Sequence, residues 1–191
     1  MHIKTTKDFK IGKWSGGSTT ELFIYPENAD YQLRNFDFRI SSARVEVEES
    51  HFTALAGFSR KLMILEGEIE ISHKNRYSKH LKKFEVDEFE GEWETSAKGI
   101  CTDFNVMTSK QFKSSLFSKR LLTNELDRVT FDADNSHLFV YVWSGKVEVV
   151  VDLDTIYLQQ GELLVLDSPF TILDFNAFED SEMIIVKIDK V

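Results

Sequence analysis

Met63-Ile64-Leu65-Glu66-Gly67-Glu68-Ile69-Glu70-Ile71 and Tyr141-Val142-Trp143-Ser144-Gly145-Lys146-Val147-Glu148-Val149 share one pattern: an apolar run, a glycine, then alternation of charged and β-branched residues. Alternation by two places successive side chains on opposite faces of a strand, so each stretch reads as strand, glycine turn and half-buried antiparallel strand. Outside these stretches Gly91-Glu92 answers Gly161-Glu162, and Asp103-Phe104-Asn105 answers Asp174-Phe175-Asn176. Short β segments resemble one another through composition alone; the order kept in both halves is what favours an internal duplication.

Strand, glycine turn, strand, Gly-Glu turn, strand is the rhythm of a cupin-type jelly roll. The expected fold is therefore all-β, a double-barrelled cupin arrangement with little helix. Residues 1–110 would form an N-terminal cupin-like barrel, and 111–191 a connector and C-terminal cupin-like half, packed as one compact unit. A chain of 191 residues suits one large β domain or two small barrels. The best helical candidate is Ser109 to Arg128, where Phe112 and Leu116 could sit on an irregular, turn-rich connector.

Composition narrows function by exclusion. Acidic residues outnumber basic ones 32 to 23, which disfavours a nucleic-acid partner. No apolar run approaches the ~18 residues of a membrane span, and Met1-His2-Ile3-Lys4-Thr5-Thr6 lacks the apolar stretch of a signal peptide, so a cytoplasmic location is expected. The single cysteine, Cys101, has no basic neighbour in sequence and reads as a core residue. A metal-binding cupin needs His-x-His, a carboxylate and a later histidine; here His2, His51, His73, His80 and His137 are scattered, so neither metal nor cofactor is expected. His73 and His80 lie in a basic stretch (Lys74, Arg76, Lys79, Lys82, Lys83) that faces Glu85, Asp87, Glu88, Glu90, Glu92 and Glu94 and reads as a solvated, charge-compensated hairpin. Trp14-Ser15-Gly16-Gly17-Ser18-Thr19-Thr20 lacks the Lys-[Ser/Thr] ending of a nucleotide loop and reads as a turn entering a strand, or as the wall of a small polar-ligand site.

The more informative stretch is Arg39-Ile40-Ser41-Ser42-Ala43-Arg44-Val45-Glu46-Val47-Glu48. With Ala43, Val45 and Val47 inward, alternation carries Ser41 and Arg39 to the same face and sends Arg44, Glu46 and Glu48 to solvent. An inward arginine needs a carboxylate or an anionic ligand, because burying an unpaired guanidinium costs several kcal/mol. Asp103 is the candidate carboxylate, since alternation puts Cys101, Asp103, Asn105 and Met107 on one face.

Trp14-x-Gly16-Gly17-x-Thr19, Arg39-Ile40-Ser41-Ser42-Ala43, Phe52-Thr53-x-x-x-Gly57-x-x-Arg60-x-Leu62, Leu65-x-Gly67 and Asp103-Phe104-Asn105-x-Met107 together resemble the HutD/Ves family. The resemblance is specific over residues 10 to 110 and thins to a general strand pattern afterwards. It implies a double-barrelled cupin, an association with histidine utilisation (HutD) or environmental stress (Ves), and binding of formylglutamate-like acids. Carried across by motif, the ligand-binding candidates are Trp14, Arg39, Ser41, Phe52, Arg60, Asp103 and Asn105. Ser50-His51-Phe52-Thr53 stands where the HutD branch has Gly-Pro-Phe-Ser, and Ala56-Gly57 where it has Pro-Gly, which leans toward the Ves side.

Each candidate has chemistry to offer. A guanidinium grips a carboxylate with paired N–H donors, Ser41 and Asn105 orient, and Trp14 and Phe52 cover an apolar stem, although such aromatics also serve simply as core. The weight falls on binding or sensing of a small carboxylate. A metal-independent isomerase or lyase, with Asp103 or His51 as base, and a protein-interaction module, such as a homodimer through barrel faces, are the alternatives.

Overall fold

The computed structural model describes residues 1–131, 137–167 and 172–191. Its strands are β1 (His2–Lys4), β2 (Lys10–Trp14), β3 (Gly17–Tyr25), β4 (Phe38–Val45), β5 (Glu49–His51), β6 (Phe58–Gly67), β7 (Ile69–His73), β8 (Tyr77–Leu81), β9 (Val86–Glu90) and β10 (Thr95–Lys98). They continue with β11 (Cys101–Ser109), β12 (Phe112–Leu121), β13 (Leu126–Thr130), β14 (His137–Ser144), β15 (Lys146–Val151), β16 (Asp154–Gln159), β17 (Leu163–Leu166), β18 (Ile172–Ala177) and β19 (Ser181–Lys190). Among the described residues there is no helix. The Ser109–Arg128 connector is instead β12 and β13: exposure alternates along Phe112-Lys113-Ser114-Ser115-Leu116, so the two apolar residues share a strand face rather than a helix stripe.

Two compact units result, Phe9–Lys113 with Val191, and Met1–Asp8 with Ser114–Lys190. Residues 1–8 therefore belong with the C-terminal unit: β1 pairs with β17, matching Ile3 to Leu164. The N-terminal unit has a six-stranded sheet ordered β2-β3-β4-β11-β6-β9 and a four-stranded sheet ordered β5-β10-β7-β8. The C-terminal unit has the orders β1-β17-β14-β19-β12 and β13-β18-β15-β16. The series β4-β11-β6-β9 and β12-β19-β14-β17 correspond strand for strand, as do the two four-stranded sheets. The duplication is thus written in the topology, and each unit is a cupin-type barrel.

Two of the sequence correspondences change. The turn opening β9 has Phe84-Glu85 where that opening β17 has Gly161-Glu162. Glu85 and Glu162 each accept the backbone N–H three residues earlier, of Lys82 and Gln159, at 2.9 and 3.0 Å. Phe84 donates to Ile64 O as Gly161 does to Val142 O, which makes Ile64 and Val142 equivalent. Gly91 lies beyond β9 and is not the counterpart of Gly161. Likewise Asp174-Phe175-Asn176 is on β18, the counterpart of β10, so Asp103-Phe104-Asn105 on β11 corresponds to part of β19. Matching tripeptides misled because both strands alternate, and alternation carries no register.

Within the N-terminal barrel, Leu62, Ile64, Phe89, Val45 and Cys101 of one sheet pack against Ile69, Ile71, Leu81 and Ala97 of the other. Glycine at the β6–β7 turn is required twice over: Gly67 has φ +79°, and a Cβ there would run into Ile100 O. The basic hairpin is only partly as read. His80 is exposed, but His73 is buried, with Nε2 2.8 Å from Asp87 Oδ2 and Nδ1 2.8 Å from Thr95 Oγ1, enclosed by Tyr77, Phe89 and Trp93.

Candidate functional site

All seven candidate residues line one cavity of about 550 Å³ in the N-terminal barrel. Register explains their convergence. On the inner face, Met107 of β11 lies between Arg39 of β4 and Arg60 of β6, Asn105 between Ser41 and Leu62, and Asp103 between Ala43 and Ile64. These are three successive layers of one barrel wall, each about 6.8 Å from the next. Alternation read from Arg39 to Glu48 holds, with Arg39, Ser41 and Val45 buried and Arg44, Glu46 and Glu48 exposed. Trp14 stands at the rim on the exposed strand β2, its ring lying on Gly16 where any Cβ would collide with it.

The arginines are held differently. Arg39 Nε donates to Glu21 Oε2 at 2.7 Å, Nη1 donates to Ser41 Oγ at 3.0 Å, and the guanidinium lies 4.4 Å from the centre of the Tyr31 ring. Its carboxylate partner is therefore Glu21, not Asp103. Sequence reading missed Glu21 because the β3–β4 register shifts between Glu21 and Phe23, breaking the alternation that would have placed it. Tyr31, on a loop, left no periodic signal.

Arg60 is the less satisfied of the two. Its guanidinium lies beside the Phe52 and Phe89 rings, 5.0 and 5.3 Å from their centres, with one long bond of 3.4 Å from Nη1 to Thr53 O. Its Nε is buried without a partner, as are Asp103 Oδ1 and Asn105 Oδ1. Burial lowers the Arg60 pKa to about 10, which leaves it charged at neutral pH. Burial pushes the Asp103 carboxyl up to about 7, against the opposing pull of Arg60 and the Ala43 backbone hydrogen bond. Cys101, one layer beyond Asp103, is buried and burial pushes its thiol up to about 12, as a core cysteine should be.

The C-terminal barrel has apolar side chains at the equivalent positions of this wall. Met183 and Ile185 of β19 pair with Val142 and Val140 of β14, and Lys187 with Leu138. With Ile64 equivalent to Val142, the counterparts of Asp103, Asn105 and Arg60 are Met183, Ile185 and Leu138, all buried in that barrel's apolar core. The fold does not need polar groups at these positions; the N-terminal barrel alone carries them.

Metal-binding cupins place a cation within the barrel, and this wall is a poor fit for one. Among the described residues no three His, Cys, Asp or Glu side chains are grouped to hold a metal ion. The charges lining the cavity include two buried guanidinium groups, and Glu21 is already engaged by Arg39.

The HutD family profile matches residues 6–185. The chain belongs to the HutD family. It is similar in structure to a conserved protein of unknown function from Pseudomonas aeruginosa PAO1, with TM-score 0.85 and 22% identity over 99% of this chain and 98% of that one. HutD from Pseudomonas fluorescens SBW25, in a structure described as the formate condition, aligns with TM-score 0.75 and 20% identity over 100% and 98% of the two chains. A cupin 2 conserved barrel domain protein from Leptotrichia buccalis aligns with TM-score 0.60 and 14% identity over 98% and 96%. No curated protein sequence matches the chain. These likenesses place the fold among the cupins.

Proposed function

We propose that this HutD-family protein binds or senses a small carboxylate in its N-terminal barrel, as an accessory or regulatory partner of histidine catabolism or of a stress response. The observation that carries the reading is Arg60: a buried guanidinium with an unpartnered Nε, facing a polar cavity at a position where the sister barrel has leucine. A guanidinium held against an aromatic pair is suited to receive a carboxylate, whose oxygens would meet Nε and its neighbouring N–H together. Arg39, fixed by Glu21 and Ser41, adds positive potential, and Trp14, Tyr31 and Phe52 offer apolar cover. Formylglutamate-like acids are the ligand class to try first. The Ser50–Thr53 and Ala56-Gly57 departures favour a Ves-like branch with a related amino-acid-derived acid.

A second reading is favoured by Asp103. A carboxyl titrating near 7 in a ligand cavity is suited to taking and returning a proton, as a metal-independent isomerase or lyase of a small acid requires.

A thermal-shift screen with formylglutamate, glutamate, urocanate and histidine tests the binding reading. Ligand at a hundred times its Kd should stabilise the wild type by about 2.7 kcal/mol. The shift should vanish in Arg60→Ala and weaken in Arg39→Ala; absence of a shift with every acid would reject the reading.

A further inference from the structure

We infer that the acid taken by this cavity carries an N–H or O–H donor along its chain, which pairs with Asn105 and Asp103 while its carboxylate sits on Arg60; the inference rests on the carboxylate reading above. The argument is one of unmatched atoms. Asn105 Oδ1 and Asp103 Oδ1 are hydrogen-bond acceptors, both buried, both without a donor, and both on the inner face of β11. A buried acceptor left unsatisfied costs free energy that the fold would avoid, and does avoid in the sister barrel, where Met183 and Ile185 hold the same positions.

Arg60 stands level with Met107, Asn105 lies one layer along the wall and Asp103 one layer further, toward Cys101. Donor and acceptors are thus laid out in line: a guanidinium with a free N–H at one end, then two free acceptors spaced at about 6.8 Å per layer. The complementary molecule has a carboxylate at one end and, a few carbons along, an amide, amine or hydroxyl hydrogen. A fatty acid or a plain oxo acid would leave both acceptors empty on binding, and sites built around such groups discriminate strongly against analogues that lack the partner.

Isosteric pairs isolate the donor. Succinamate and levulinate differ by an amide NH2 in place of a methyl group, as do glutaramate and 5-oxohexanoate. By isothermal titration, the wild type should bind the amide of each pair at least tenfold more tightly than its ketone. Asp103→Leu and Asn105→Leu should lose that preference together with affinity for the amides, and circular dichroism should show both folded, since the sister barrel has apolar residues at the equivalent positions. Equal binding of amide and ketone would overturn the inference and leave the carboxylate reading standing. Failure of these acids and of formylglutamate to bind at all would overturn both.

Discussion

Replacing Asp103 with asparagine should stabilise the protein, and by an amount that depends on pH. Burial raises the Asp103 carboxyl from its ordinary 3.8 to about 7, so the folded chain holds that proton more tightly than the unfolded chain does. The stability tied to this proton is fully present below pH 4 and is lost as pH rises through 7. Each pH unit between those limits is worth about 1.4 kcal/mol, so the ionised side chain costs on the order of 4 kcal/mol at pH 8. An asparagine side chain cannot ionise and escapes that cost. For a chain of this size about 2–4 °C follows each kcal/mol, so Asp103→Asn should melt roughly 10 °C above wild type at pH 8 and close to it at pH 4. The assay is differential scanning calorimetry of both proteins from pH 4 to 8.5. A melting difference that does not change with pH, or an asparagine variant less stable at pH 8, would refute the claim that Asp103 is a buried carboxylate without adequate compensation.

Other expectations follow from the same wall. The triple variant Arg60→Leu, Asn105→Ile, Asp103→Met, which copies the sister barrel, should be more stable than wild type in urea by several kcal/mol at neutral pH, because it removes three unpartnered buried polar atoms. Glu21→Gln should weaken carboxylate binding about tenfold without unfolding the chain, since it leaves Arg39 hydrogen-bonded but removes the charge that fixes Nε; titration calorimetry reads this. Gly67→Ala should cost more than about 1 kcal/mol in urea unfolding, because φ is positive and Ile100 O blocks the Cβ. Cys101 should resist a thiol reagent at pH 8 in the native state and react promptly in denaturant, as a buried thiol titrating near 12 requires.

Sequence made the fold legible where burial is periodic. Arg39 to Val45 and Cys101 to Met107 each have one cavity-facing side, and alternation placed Arg39, Ser41, Asp103 and Asn105 there correctly. It failed where periodicity is interrupted or carries no register. The bulge beside Glu21 hid the partner of Arg39, the loop residue Tyr31 had no pattern to obey, and matching tripeptides aligned β11 with the wrong strand of the second barrel. Phe112 and Leu116, four residues apart, suit one face of a strand as well as one face of a helix, so the spacing within Ser109–Arg128 did not decide between them. His73 was hidden by its flanks: exposed lysines and glutamates surround a side chain that Asp87 and Thr95 hold inside the barrel.

Isothermal titration of formylglutamate into wild type, Arg60→Leu and Arg128→Leu tests the central claim most directly. Arg60→Leu copies Leu138 of the sister barrel, while Arg128→Leu removes an exposed arginine paired with Asp174 in the C-terminal unit. The account predicts saturable one-to-one binding by wild type and Arg128→Leu and none by Arg60→Leu. Binding undiminished in Arg60→Leu, or abolished in Arg128→Leu, would contradict a carboxylate site in the N-terminal barrel.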